Sequence, residues 1–155
     1  MGGDLMEELI SLIESGKFVK GSFKDKEDFF KIVSDKLFRE DYVSEKFLEK
    51  ILDREIVYPT GLKINNIGIS IPHCDSEYIY KNGILIAIFD NPIQFNRMDA
   101  PEELIDVNIS FVLLIKDKET HLLALQQLII FIQSQQFDNL IKAESQEDVL
   151  KLIRG

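Results

Sequence analysis

Three side chains stand out for their chemistry: His73, Arg54 and His121. His73 ends the run Gly68-Ile69-Ser70-Ile71-Pro72-His73-Cys74-Asp75 and is one of only two histidines in the chain. An imidazole with an ordinary pKa near 6.5 is substantially neutral around pH 7. A ring nitrogen can therefore attack phosphorus without a separate base. Pro72 fixes its own φ and pushes Ile71 towards an extended conformation, so a strand through Ile69 and Ile71 should deliver His73 with little freedom. Arg54 offers a planar fork to phosphate oxygens. His121 falls where a helix should begin, and unpaired N–H groups and the positive dipole end of a helix attract anions there. The dipole also lowers its pKa. Each residue alone has a plainer reading: a strand end, a solvated charge or partner of Glu55, a surface histidine. Together they point to phosphate chemistry.

Elements that could position these groups are visible in the hydrophobic pattern. Helical spacing runs from Asp4 to Ser15, with Leu5, Leu9, Leu12 and Ile13 facing inward and Gly16 as the stop. Phe18-Val19 makes a short strand. A helix from Asp25 buries Phe29, Ile32, Val33 and Leu37; the next, capped by Ser44, buries Phe47, Leu48, Ile51 and Leu52. Ile84 to Phe89 and Val107 to Ile115 read as central strands buried on both faces. Asn91-Pro92 and the stretch from Asn96 to Pro101 break the pattern as turns or loop. Thr120 caps a helix whose stripe is Leu122, Leu125, Leu128, Ile129 and Ile132. Two short helices close the chain, the last opened by Ser145 and Asp148 in capping-box spacing and burying Val149, Leu152 and Ile153. The expected architecture is α/β (α+β): one domain over residues 1–155, a central mixed sheet flanked by helices on both sides, and residues 1–16 as a peripheral N-terminal helix.

Bulk composition excludes several classes. The 155 residues are 45% apolar, enough for one good core. A net charge of −9 argues against a nucleic-acid backbone binder. It suits protein partners with basic rims, by speeding encounter. A single cysteine, Cys74, excludes an internal disulfide and a multi-thiolate zinc site. No apolar run approaches the roughly 18 residues of a membrane span and no signal peptide opens the chain, so a cytoplasmic protein is expected.

Arg54-Glu55, Pro59-Thr60-Gly61-Leu62, Gly68 to His73, Pro92-Ile93-Gln94-Phe95, Met98, and His121-Leu122 through Leu125 and Leu128 occur in a telling order. From about Lys17 to Ile153 the chain resembles the enzyme IIA domains of the fructose/mannitol class of the bacterial sugar phosphotransferase system. The Pro-Thr-Gly-Leu segment and the His-Cys-Asp ending look most like the galactitol branch. Cys74 and Asp99 depart from the residues common in that class. The resemblance implies a phosphohistidine relay. HPr donates a phosphoryl group to Nε2 of His73, which passes it to a cysteine of a IIB subunit, with the membrane IIC subunit involved indirectly. His121 and Arg54 would stabilise the phosphate, and no cofactor or metal is expected.

Cys74 invites a thiol alternative, but without a cationic neighbour the thiol stays protonated. Asp75 and Glu77 read as loop charges or as groups that raise the pKa of His73. Two further readings stay open. One is a regulatory, nitrogen-type paralogue that controls another protein through its phosphorylation state; the other is a metal or interaction domain built on His73, His121 and Asp75.

Overall fold

The computed structural model describes residues 5–155. Five strands form one mixed sheet: β1 (Lys17–Gly21), β2 (Leu62–Ile64), β3 (Ile67–Ser70), β4 (Gly83–Asn96) and β5 (Leu104–Leu114). Their order is β1-β4-β5-β3-β2. β4 and β5 pair antiparallel, β1 joins β4 and β3 joins β5 in parallel, and β2 closes the edge as an antiparallel hairpin with β3. That hairpin turns on Asn65 and Asn66, both at positive φ (49° and 70°), as a two-residue turn matched to strand twist requires.

The two apolar runs pair as central strands because each has two faces to bury. Ile84, Ile86 and Ile88 lie opposite Leu113, Phe111 and Ile109 and face one helical layer. Leu85, Ala87 and Phe89 face the other. The first layer holds α1 (Glu7–Ser15), α4 (Lys118–Ile132), a 3-10 segment (Gln135–Lys142) and α5 (Gln146–Arg154). The second holds α2 (Lys26–Arg39) and α3 (Phe47–Val57). Edge-to-face rings fasten α2 to β4. Phe29 and Phe89 sit 5.0 Å apart at 84°, and Phe30 and Phe95 6.0 Å apart at 80°. Each such pair is worth about 0.5–1.5 kcal/mol beyond its area.

Several expectations need correction. Asp4 lies outside the described residues, and α1 is far from peripheral, since Leu9, Leu12 and Ile13 are core residues while Leu5 is exposed. In α2, Phe30 takes the core place expected for Ile32, which is exposed. Ser44 stands before a turn rather than at the cap; its Oγ accepts from Lys46 N–H at 3.2 Å, and α3 begins at Phe47. Leu48 and Leu52 are only partly buried. β4 does not break at Asn91-Pro92. It continues through a register shift between Ile88 and Ile93, and a bulge tolerates a proline that has no N–H to give the ladder. The cap of α4 is Asp117, whose carboxylate accepts from Thr120 N–H at 3.0 Å. Its buried stripe is Ala124, Gln127, Leu128, Phe131 and Ile132, and Leu122 and Ile129 face outward. In α5, Leu150 replaces Leu152 among the buried residues.

Candidate functional site

β3 brings the site to the end of the sheet. Gly68 lets it approach β5 closely, since a Cβ there would stand 1.8 Å from the Asp106 carbonyl oxygen. Beyond Ser70 the backbone stays pinned. Ile71 N–H donates to Thr60 Oγ1 at 3.1 Å, and Leu113 N–H donates to the Pro72 carbonyl at 3.0 Å. His73 follows directly.

The His73 ring turns back on its own strand, with Nδ1 2.9 Å from the Ile71 carbonyl oxygen. A carbonyl only accepts, so Nδ1 carries the proton and Nε2 keeps its lone pair. Burial lowers the His73 pKa, with Arg54 acting in the same direction; the Ile71 bond and Asp75 oppose them. The ring is therefore neutral near pH 7. His121 packs against it, ring centroids 5.0 Å apart and planes at 65°. Burial, then His73 and Arg54, lower the pKa of His121 too. With Asp117 as cap, His121 sits a turn inside α4, its N–H already bonded to the Asp117 carbonyl at 3.1 Å. Its contribution is the side chain and not a free backbone donor.

Arg54 lies in the last turn of α3. Its guanidinium stacks 4.9 Å over the Tyr58 ring and reaches Asp75, Nη1 to Oδ1 3.5 Å, while Nε is buried without a partner among the described residues. Glu55 is not its partner. Adjacent helical residues point in different directions, and Glu55 turns inward to Thr60: Oε2 accepts from Thr60 N–H at 2.8 Å and Oε1 from Thr60 Oγ1 at 3.0 Å.

His73, His121 and Arg54 thus meet on one open cleft of about 340 Å³, also lined by Asp75, Ser76 and Lys118. Lys118 adds a second cation that the pattern of histidines and arginine did not single out. The signal was its place one residue after the Asp117 cap. Burial and Asp75 push the Cys74 thiol up to about 12 against the opposing effect of Arg54. It stays protonated and is no competing nucleophile. Glu77 is exposed in a 3-10 turn (Ser76–Tyr78), away from the cleft lining. The Asp75 carboxylate serves Arg54, and among the described residues no three His, Cys, Asp or Glu side chains are grouped to hold a metal ion. A neutral imidazole with a free lone pair, beside two cations and a second imidazole, is equipped to capture an electrophilic, anionic group such as a phosphoryl.

Known proteins share this fold and sequence pattern. The galactitol-specific EIIA component of Escherichia coli K12 is 22% identical over 107 residues, covering 69% of this chain and 71% of that protein. The mannitol-specific phosphotransferase enzyme IIA component of Halalkalibacterium halodurans is 26% identical over 140 residues, 87% of this chain and 88% of that one. Among solved structures, the nitrogen regulatory protein IIA-Ntr of Neisseria meningitidis superposes with a TM-score of 0.74 at 22% identity, covering 92% of this chain and 99% of its own. Enzyme IIA mannitol of E. coli, in its complex with phosphorylated enzyme IIB mannitol, gives 0.70 at 19% identity, covering 88% and 93%. The family model described as phosphoenolpyruvate-dependent sugar phosphotransferase system, EIIA 2, matches residues 12–155, and this chain therefore belongs to that family.

Proposed function

We propose that this chain, as one EIIA domain over residues 1–155, is a cytoplasmic phosphoryl carrier whose working atom is Nε2 of His73. The observation that carries this reading is the bond from Nδ1 to the Ile71 carbonyl, which commits the proton to one nitrogen and leaves the other as nucleophile beside Arg54, His121 and Lys118. In the first transfer the Nε2 lone pair attacks the phosphorus of phospho-HPr and the bond from phosphorus to HPr breaks. In the second, a cysteine thiolate of a IIB subunit attacks the same phosphorus, and the P–N bond breaks, returning the electron pair to Nε2. Both steps are in-line displacements through a loose transition state, so the protein's share is alignment and charge stabilisation. Arg54 and Lys118 receive the equatorial oxygens and His121 donates a hydrogen bond. Nothing in these steps calls for a metal or cofactor.

The IIB partner in turn serves a membrane IIC subunit that carries the sugar. Among the described residues no helix is long and apolar enough to cross a membrane. For the substrate we favour a galactitol-like polyol. The segment Pro59-Thr60-Gly61-Leu62 and the likeness to a galactitol-specific component support that branch. The test is transfer from the phosphorylated chain to a panel of purified IIB subunits. Rapid transfer to a galactitol-type IIB supports a transport role. Phosphorylation by HPr with no transfer to any IIB rejects that role in favour of a regulatory one.

A further inference from the structure

Behind the cleft lies a buried polar chain that the two transfers do not use. Glu55 is 3% exposed and Thr60 4%, and Glu55 is the one charged side chain among the buried residues described. Above about pH 7, where Glu55 is ionised, its carboxylate takes both protons Thr60 can give, from its N–H at 2.8 Å and from its hydroxyl at 3.0 Å. Thr60 Oγ1 then has only lone pairs left, and one of them accepts Ile71 N–H at 3.1 Å. The carbonyl of the same Ile71 accepts from His73 Nδ1 at 2.9 Å.

We propose that Glu55 and Thr60 form a positioning pair that fixes, through the Ile71 backbone, the orientation and tautomer of the His73 ring. This rests on the reading of His73 as the phosphoryl carrier. The choice of a carboxylate supports it. Burying one costs several kcal/mol, and here it is spent on Thr60 alone, whose N–H and hydroxyl both face it. An ionised carboxylate only accepts, and its Oε1 and Oε2 lie 3.0 Å and 3.2 Å from Thr60 Oγ1, so the hydroxyl proton turns to Glu55 and its lone pairs turn to Ile71. With Ile71 N–H held by Thr60 and the Pro72 carbonyl held by Leu113, the Ile71 carbonyl has no freedom to swing away from the ring. Glu55 and Thr60 touch neither phosphate nor partner; they act through the peptide.

The experiment reads the nitrogen-15 resonances of His73 in the free protein and the rate of its phosphorylation by phospho-HPr, in wild type, Thr60→Val, Thr60→Ser and Glu55→Gln. Thr60→Val keeps the side chain's shape and removes the acceptor. It should mix in the Nε2-protonated tautomer and slow phosphorylation roughly tenfold to a hundredfold, the upper end being the scale of a reacting atom displaced by about 1 Å. Thr60→Ser keeps the hydroxyl and should restore both. A Val variant with the wild-type tautomer overturns the proposal whatever its rate, as does a Ser variant as impaired as Val. Should Thr60→Val fail to fold, Glu55→Gln decides by the same criterion, since it sets an amide donor against Thr60. The tautomer is measured without any partner. A wild-type protein that HPr cannot phosphorylate would therefore reject the carrier role while leaving the positioning result to stand or fall alone.

Discussion

Arg54 and Asp75 form an ion pair at the edge of the cleft, Nη1 to Oδ1 3.5 Å, and act on the same imidazole with opposite sign. Their side chains are 37% and 70% exposed, so the pair adds no more than about 1 kcal/mol to stability. Its value lies in exchange. Asp75 occupies Arg54 in this structure, and on the proposed carrier role an incoming phosphoryl group would compete with it for the guanidinium.

The opposing effects are separable by mutation. Asp75→Asn removes the carboxylate that raises the His73 pKa and should move it further down. Arg54→Gln removes the cation that lowers it and should move it up. An NMR pH titration of the His73 ring checks both directions, and shifts of the same sign in the two variants would reject this electrostatic picture.

On the proposed carrier role, His121 assists rather than reacts. His121→Ala should slow phosphorylation of His73 about tenfold to a hundredfold without abolishing it, the range for losing one preorganised donor. Cys74→Ser should phosphorylate at close to the wild-type rate, because the native thiol is already protonated. Rapid-quench kinetics with phospho-HPr measures both.

Glu55 gives stability a pH dependence of unusual sign for a carboxylate. Burial pushes its carboxyl up to about 7, so the folded protein holds a proton that the unfolded chain releases in the mid-acidic range. The contribution is fully present below the unfolded pKa and is lost as pH rises through 7. It amounts to at most about 3 kcal/mol. Urea unfolding of wild type and Glu55→Gln at pH 5 and pH 8 should show the variant gaining on wild type at the higher pH. A difference independent of pH would contradict this.

Gln127 supplies a long-range cap to α1. Met6 precedes α1 without a side-chain cap, and the buried Gln127 Oε1 accepts Leu9 N–H at 2.7 Å. Gln127→Leu should cost about 1–3 kcal/mol, the penalty for a buried unpaired donor. Faster hydrogen exchange should be confined to α1, with phosphorylation of His73 unchanged.

The sequence disclosed the parts of the site that local rules govern. Pro72 and the alternating isoleucines announced a strand delivering His73, and the two long apolar runs announced the central pair β4 and β5. What stayed hidden depended on long-range contacts or on reading one helix against another. Arg54 and Glu55 look like partners because they are adjacent, yet on a helix they diverge, and only the fold shows Glu55 meeting Thr60. Helix α4 is apolar on more than one face, so periodicity could not choose between Leu122 and Ala124 as its buried side. The His73 acceptor is a backbone carbonyl two residues back, a partner that side-chain patterns do not display.

The most direct measurement is to incubate the protein with phosphoenolpyruvate, enzyme I and HPr and locate the phosphate by phosphorus-31 and nitrogen-15 NMR. An alkali-stable, acid-labile phosphoryl group on Nε2 of His73, absent in His73→Ala, is the expected result. Phosphate on Nδ1 or on another residue, or normal labelling of His73→Ala, would contradict it.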